Sequence, residues 1–243
     1  MPRHTAVAEK SGPSMLSRII GVIGEILITI GLILGLYVFW QLYWTSWQVS
    51  DNHPAAVAQF EKNLKPASEK PGEERYDDPP EFDRVKHGEV MGVLHNTKWN
   101  MQIPVVEGTD QRLLDLSYAG HYDTTQQPGE LGNFAMAAHR RTYGNSFRRI
   151  DIMKPGDRMV FETPKAWLVY EVTDHEIVDP DAGEVLNPVP HQWDVQPKDR
   201  LMTLTTCHPE FGNSERYILY SKLHHWVPRD TGKPAELLGK AAK

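Results

Sequence analysis

The sequence contains a single cysteine, Cys207, which ends the run TLTTC at residues 203–207. A lone cysteine is either a small buried hydrophobe or a thiol that is kept for its chemistry. The β-rich run RLMTLTTC stops at the polar segment HPEFGNSE, and a second β-rich run, RYILYSKL, follows it. If the two runs form a hairpin, Cys207 and Arg216 become cross-strand neighbours. A guanidinium beside a thiol favours the thiolate and offers donors to an oxyanion on an attacked carbonyl.

A nucleophilic thiol also needs an acid–base partner, and histidine is the usual one because it titrates near neutral pH. Of the 11 histidines, His139 is the strongest candidate, since the run GNFAMAAHR delivers it at a strand end beside a polar loop. His208 follows Cys207 directly, so its side chain points the other way in a continuing strand. His121, in GHYDTTQQPGELG, is a weaker candidate on a loop.

The adjacent pair His224 and His225 could pass for metal ligands. No carboxylate or cysteine cluster has metal-like spacing with this pair. We therefore expect no metal site and no cofactor.

Seven segments that are rich in β-branched and aromatic residues must position these side chains. Gly, Pro, Asn and Asp separate them at short intervals, which is typical of an all-β sandwich or barrel. The predicted strands are 89–94, 101–106, 133–138, 158–163, 166–178, 200–205 and 216–224. The runs LDLSYAG, SFRRIDIM and AELLGKAAK are short helical candidates. We expect one domain at residues 89–228, followed by a tail at 229–243.

Residues 19–44 read IIGVIGEILITIGLILGLYVFWQLYW, with Glu25 as the only charge. A run of about 20 apolar residues is long enough to cross a bilayer. A cleaved signal peptide is the alternative, but its apolar core is shorter, about 7–15 residues, and ends at a small-residue cleavage site. This run ends in aromatic residues, which are typical of a membrane–water interface. The sequence therefore predicts an uncleaved transmembrane helix.

The flanks of the apolar run predict its orientation. Arg3, Lys10 and Arg18 precede it, so the positive-inside rule predicts that residues 1–18 lie in the cytoplasm and that everything after Trp44 lies outside. Residues 45–88 are proline-rich and of mixed charge. We interpret them as an extracytoplasmic stalk that holds the domain off the membrane, with room for one short helix around residues 55–64.

The overall charge narrows the choice of partners. The chain carries 26 basic and 32 acidic side chains, a formal net charge of −6. A basic patch or stripe is the usual footprint of nucleic-acid binding, so nucleic acid is not an expected partner.

Exported proteins normally pair their cysteines in disulfides, so an unpaired one outside the cell fits a thiol retained for chemistry.

Three motifs taken together resemble the sortase family, most closely the class E sortases of high-GC Gram-positive bacteria. They are GHYDTTQQPGELGNFAMAAHRRTYG, TLTTC, and the arginine nine residues beyond the cysteine in ERYILY. The run PVVEGTD adds similarity to the class, and the resemblance covers about residues 89–227. Ala138 stands where the family often has glycine, and both residues are small. The combination is much more specific than any one motif.

This resemblance implies a closed eight-stranded sortase β-barrel whose catalytic histidine, cysteine and arginine match His139, Cys207 and Arg216. Sortases cleave a C-terminal sorting signal between Thr and Gly through a thioacyl-enzyme and pass the acyl group to an amine. That amine usually belongs to a lipid-linked peptidoglycan precursor. Class E members favour LAxTG signals over LPxTG signals. The implied partners are surface proteins with such a signal, the precursor and the cell membrane.

The resemblance also implies three substrate-binding positions. Thr206, just before the cysteine, helps to position the substrate. Tyr122 is a reader of the second signal position, and His121 precedes it in the same GHY element.

Two other classes of function compete with this reading. L,D-Transpeptidases and related cell-wall cysteine enzymes also use Cys and His, but their His-Gly pair immediately before the cysteine is missing from TLTTC. A non-enzymatic reading is an anchored β-domain that binds wall or protein ligands, with Cys207 buried and inert. Thiol titration at neutral pH separates the two, because a buried cysteine reacts slowly and a catalytic one readily.

Overall fold

The computed structural model describes residues 14–62 and 64–239. It divides into one unit that extends to Leu42 and a second that begins at Tyr43. Most of the predicted cytoplasmic segment, including Arg3 and Lys10, lies outside the described residues, as does the end of the predicted tail from residue 240 onward.

The first unit is dominated by helix α1, Met15–Phe39. The Ser14 hydroxyl caps its start by accepting a hydrogen bond from the Ser17 amide at 3.2 Å, which satisfies one of the free N–H groups of the first turn. Among the described residues, the helical stretch that begins at Met15 is the one long and apolar enough to span a membrane. The predicted apolar helix is therefore present, although it begins before residue 19. A π-helical turn, Trp40–Trp44, and helix α2, Thr45–Gln48, follow α1.

The second unit is a closed β-barrel of eight strands in the order β1-β2-β3-β4-β7-β8-β6-β5. The all-β, eight-stranded barrel implied by the resemblance is therefore confirmed. Two neighbouring pairs, β2–β3 and β4–β7, are parallel and the others are antiparallel. The strands are β1 Val90–Asn96, β2 Met101–Glu107, β3 Ala119–His121, β4 Gly132–Ala137, β5 Arg158–Glu162, β6 Ala166–Val178, β7 Arg200–His208 and β8 Glu215–Pro228.

The hydrophobic core fills the inside of this barrel. Side chains alternate between the two faces of a strand, and Phe134 and Met136 of β4 and Met202 and Leu204 of β7 belong to the core. The intervening residues of both strands therefore point to the outer face. That outer face, at the ends of β4 and β7, carries the candidate site.

The seven predicted strands all correspond to observed ones, but strand β3 was not predicted. It has three residues, too few to show a period of two, and part of it falls in the run LDLSYAG that was predicted helical. The helix lies just before, as α4, Gln111–Leu114. In the described residues, SFRRIDIM contains the 3₁₀ turn Ile150–Ile152 and AELLGKAAK, which is described as far as residue 239, contains the 3₁₀ turn Ala235–Leu237.

Segment 45–88 differs from the extended spacer that its composition suggested. Helix α3 spans Asn52–Lys62 and agrees with the short helix expected near residues 55–64. It packs Val57 and Phe60 against Val93 of β1. Phe82 is part of the barrel core itself. Full burial of a Val or Phe side chain stabilises the folded state by about 1.5–3 kcal/mol. A few apolar residues can therefore hold this segment, which is polar on average, against the barrel.

Candidate active site

Two strand pairings bring the three candidate catalytic residues to one rim of the barrel. In the parallel pair β4–β7, Ala137, the last residue of β4, lies opposite Thr205. His139 comes two residues after the end of β4, where the Ala138 amide still donates to the Thr205 carbonyl at 3.2 Å, and Cys207 comes two residues after Thr205 in β7, so both lie at the same rim. In the antiparallel pair β7–β8, Cys207 lies directly opposite Arg216. The predicted hairpin neighbourhood of Cys207 and Arg216 is therefore confirmed.

Cys207 faces outward rather than into the core, because Met202 and Leu204 occupy the inward positions of β7. Its thiol is free and its side chain is only partly buried. The segment after β6 covers part of the same outer face, where the Asn133 amide of β4 donates to the carbonyls of Val185 and Asn187 at 3.1 and 3.2 Å. The thiol thus lies at a partly sheltered surface that a ligand can reach.

The backbone around Cys207 is held on the β4 side by two side-chain hydrogen bonds. The buried Thr206 hydroxyl donates to the Ala138 carbonyl at 2.7 Å. Arg140 donates from Nη1 to the Cys207 carbonyl at 3.4 Å and from Nη2 to Asp151 Oδ2 at 3.0 Å. These bonds fix the end of β7 relative to the segment that carries His139.

Side chains from two other segments fix the His139 ring. Its Nε2 lies 2.8 Å from Asp115 Oδ1, and the Gln111 amide donates to the same oxygen at 2.7 Å. The Tyr143 ring lies 5.3 Å from the imidazole, centroid to centroid, with the planes inclined by 32°. The imidazole therefore has one nitrogen paired with a carboxylate.

Arg216 directs part of its guanidinium toward the loop between β7 and β8. Its Nη1 donates to the carbonyls of Asn213 and Glu215, both at 2.9 Å. Within residues 14–62 and 64–239, the guanidinium makes no ion pair with a carboxylate. Its charge is therefore not neutralised by a partner and is available to an anion that forms beside Cys207.

The three predicted substrate-binding residues occupy different environments. The Tyr122 hydroxyl lies 3.0 Å from Thr205 Oγ1 on the outward face of β7, close to the thiol. The Thr206 hydroxyl is turned toward the β4 backbone instead. His121 is fully buried, with Nδ1 3.0 Å from Glu107 Oε2 and Nε2 3.0 Å from the Gln126 carbonyl, so this geometry gives no support to direct contact with a substrate.

The remaining histidine candidates lie away from the thiol. Nδ1 of His208 accepts from Arg140 Nη1 at 2.9 Å, in agreement with the opposite orientation expected from strand alternation. His224 and His225 lie toward the other end of β8, where His225 pairs with Val169 of β6. In the described part of the chain, no group of three or more His, Cys, Asp or Glu side chains could hold a metal ion.

Two residues at the site were not found by sequence reasoning. Arg140 is buried and donates a hydrogen bond to the Cys207 carbonyl. The pair of adjacent arginines in AAHRR is the feature of the sequence that could have marked Arg140 as a site residue. Asp115 pairs with His139 across the barrel rim. No local pattern marks Asp115, because it reaches the site from the turn between α4 and β3.

Comparison with known proteins identifies the family of the chain. The sortase domain model matches residues 95–224. The chain is 35% identical to Sortase SrtE2 of Streptomyces coelicolor over 231 residues, which covers 90% of this chain and 88% of that protein. It is 32% identical to Sortase SrtE1 of the same organism over 243 residues, which covers 97% of this chain but only 65% of that protein.

Solved structures agree with the sequence comparisons. The SrtA sortase from Actinomyces oris superimposes with a TM-score of 0.66 at 48% identity, covering 70% of this chain and 100% of that one. Sortase E1 from Streptomyces coelicolor, solved with a tripeptide in its active site, has a TM-score of 0.59 at 37% identity and covers 62% of this chain and 97% of that one. On its sequence, its barrel and these relatives, the chain belongs to the sortase family of cysteine transpeptidases.

Proposed function

We propose that the protein is a membrane-anchored transpeptidase that cleaves a C-terminal sorting signal of the LAxTG or LPxTG type between Thr and Gly. It then transfers the protein to an amine of the cell wall. The observation that carries the proposal is the partly exposed Cys207 directly opposite Arg216, with His139 at the adjacent strand end. Membership of the sortase family excludes the L,D-transpeptidase alternative, and the accessible face of the thiol argues against an inert cysteine.

The proposed reaction begins when the Cys207 thiolate attacks the carbonyl carbon of the signal's Thr. The new S–C bond converts that carbonyl to an oxyanion, which Arg216 stabilises with its N–H donors. Collapse of the intermediate breaks the C–N bond to Gly, whose nitrogen takes a proton from the His139 imidazolium. The products of this half-reaction are a thioacyl-enzyme and a peptide with a free amino terminus.

The second half-reaction runs through the same groups in reverse. His139 takes a proton from the incoming amine, which attacks the thioester carbonyl, and the C–S bond breaks to restore the Cys207 thiolate. We propose that the amine belongs to a lipid-linked peptidoglycan precursor. Both substrates then lie at the outer membrane face, which suits a domain carried by α1 with the amino terminus in the cytoplasm.

Tyr122 and Thr206 are proposed to shape the signal pocket. Tyr122 brings its ring and hydroxyl next to Thr205, close to the nucleophile. Alanine at the second signal position is slim and keeps its backbone N–H, whereas proline has none. Thr206 acts through the backbone that it fixes, and we propose a structural role for the buried His121.

We expect the full chain, purified in detergent, to cleave an LAxTG peptide faster than the matched LPxTG peptide. Tyr122→Phe removes the hydroxyl and keeps the ring, so it should reduce the preference for alanine several-fold while leaving cleavage of LPxTG nearly unchanged. Mass spectrometry of products formed with candidate amines identifies both the cleaved bond and the acceptor.

The matched control is Tyr118→Phe, which removes a phenolic hydroxyl just before β3, whereas Tyr122 follows directly after β3. An unchanged LAxTG to LPxTG ratio in Tyr122→Phe would remove Tyr122 from the pocket. Absence of cleavage of either peptide by the wild-type chain would contradict the proposed function.

A different prediction concerns the role of Arg216. If the planar guanidinium stabilises the oxyanion through directed donors, a lysine cannot fully replace it, because its ammonium is a point charge on a flexible stem. Arg216→Ala should then lower kcat by about 10²–10³-fold, the usual cost of one oxyanion donor, and Arg216→Lys should remain clearly impaired. Peptide binding should change less than kcat.

The hydrogen bonds from Arg216 to Asn213 and Glu215 suggest the competing role, in which the arginine holds the loop or favours the thiolate. In that case Arg216→Lys would be almost fully active, and raising the pH would rescue Arg216→Ala. Profiles of kcat against pH for both variants distinguish the two roles. Arg148→Ala is the matched control, because Arg148 pairs with Glu210 of the same loop.

A further inference from the structure

The carboxylate of Asp115 pairs with His139, the proposed acid–base residue. The mechanism proposed above gives this pair no role. Asp115 Oδ1 lies 2.8 Å from His139 Nε2, and the two side chains are 31% and 17% exposed. The Gln111 amide donates to the same oxygen at 2.7 Å. A hydrogen bond between an imidazole and a carboxylate fixes the orientation of the ring and the nitrogen that carries the proton.

Contacts on the far side of Asp115 hold its chain segment in place. At the start of α3, the Asn52 amide donates to the Leu116 carbonyl at 3.0 Å, and His53 Nε2 donates to the Ser117 carbonyl. The Ser146 hydroxyl donates to the same Ser117 carbonyl at 2.6 Å. The two residues after Asp115 are therefore anchored both to α3 and to the loop that follows β4.

The His53 contact with the Ser117 carbonyl is partly buried. Burial holds the pKa of His53 below its ordinary value, although the hydrogen bond to the Ser117 carbonyl acts in the opposite direction. A neutral ring at neutral pH needs no countercharge. The segment that carries Asp115 is thus attached through a ring whose burial disfavours the charged form.

We infer that Asp115 is a positioning residue for the transpeptidation reaction. Its carboxylate accepts the Nε2–H of His139, leaves Nδ1 as the ring nitrogen that exchanges protons with the thiol and the amines, and stabilises the imidazolium that protonates the leaving group. The inference rests on the proposed function, because it assigns Asp115 a part in the same acid–base step. Asp115 acts through His139 and not directly on the thiol or the substrate.

The groups around His139 make the pH dependence of kcat/KM a direct readout of this role of Asp115. The titratable groups in contact with the ring are Asp115 from the turn before β3 and Tyr143 from the loop after β4, while Gln111 of α4, whose amide nitrogen lies 3.3 Å from Nε2, is uncharged. Of these groups, Asp115 is the carboxylate, and its Oδ1 is hydrogen-bonded to the ring. Its removal should therefore destabilise the imidazolium.

The test compares Asp115→Asn, which keeps the shape and removes the charge, with Asp115→Glu, which keeps the charge. General acid–base catalysis accelerates a reaction by about 10²–10⁴-fold. We expect Asp115→Asn to lose part of this acceleration, with kcat lowered about 10–100-fold and little change in KM. The limb of the profile of kcat/KM against pH that reports His139 should move to lower pH. Asp115→Glu should recover part of both losses.

The matched control is Asp110→Asn. Asp110 stands in the same segment, but its carboxylate pairs with His87 at the surface. We expect wild-type turnover and an unshifted profile for this variant. Thermal unfolding midpoints verify that every variant is folded. If Asp115→Asn is unstable, Asp115→Glu is compared with wild type and with Asp110→Asn instead.

A second readout does not depend on the proposed function. Alkylation of Cys207 by iodoacetamide reports the thiolate, which the imidazolium stabilises. In Asp115→Asn we expect alkylation near neutral pH to slow several-fold, and in Asp110→Asn to stay unchanged. If the wild-type chain cleaves no signal peptide but the alkylation profiles differ as expected, the proposed function fails and the pairing of Asp115 with His139 stands. Identical alkylation and kcat profiles in Asp115→Asn and wild type would overturn the inference.

Discussion

Replacement of Cys207 by alanine is expected to abolish both cleavage and transfer and to leave the barrel folded. The chain has no second cysteine, so no other thiol can form the thioacyl intermediate. Cys207 faces the outer surface, and a change from cysteine to alanine removes a single heavy atom, so little cavity is created. The loss should therefore appear in chemistry rather than in stability.

Mass spectrometry measures this prediction in two ways. The wild-type chain incubated with an LAxTG peptide should gain the mass of the acyl fragment and release the glycine-containing product, whereas Cys207→Ala should do neither. The thermal unfolding midpoint should agree with that of wild type within a few degrees. Cys207→Ser serves as a matched variant, because it replaces the thiol with a hydroxyl of similar size that is a much poorer nucleophile. Turnover by Cys207→Ala well above background would contradict a sortase mechanism.

The sequence was informative about the site wherever the relevant pairing is local. Cys207 and Arg216 are joined by a short hairpin, so their meeting across β7 and β8 follows from the loop between them. His139 is different, because it reaches Cys207 through the parallel pair β4–β7, whose strands are far apart in the chain. No local rule sets the register of such a pair, and the family resemblance supplied the connection.

The parts that sequence reasoning missed depend on tertiary packing. Strand β3 has three residues and acquires its identity from its neighbours β2 and β4. Helix α3 attaches to the barrel through Val57 and Phe60, although segment 45–88 is too polar on average to predict a packed element. Asp115 reaches His139 from a turn, and a carboxylate in a turn carries no sequence signal for what it touches.

We expect His139→Ala to lose nearly all activity, because the leaving glycine amine then has no positioned proton donor and the incoming amine has no base. The loss should approach the 10²–10⁴-fold contribution of a general acid–base group, and it should appear in kcat more than in KM. His139 is partly exposed at the end of β4, so the substitution should not unfold the barrel. Rapid mixing with an LAxTG peptide measures the acylation step separately from transfer, and both steps should slow.

His208→Ala is the matched control for this prediction. His208 is adjacent to Cys207 in the sequence, but its Nδ1 accepts a hydrogen bond from Arg140 and its side chain points away from the outer face that carries the thiol. We expect a much smaller effect on both steps, and added imidazole should partly restore acylation in His139→Ala without changing His208→Ala. A crippling effect of His208→Ala together with an active His139→Ala would transfer the acid–base role to His208. It would also mean that the side-by-side positions of His139 and Cys207 at the ends of β4 and β7 do not define the catalytic pair.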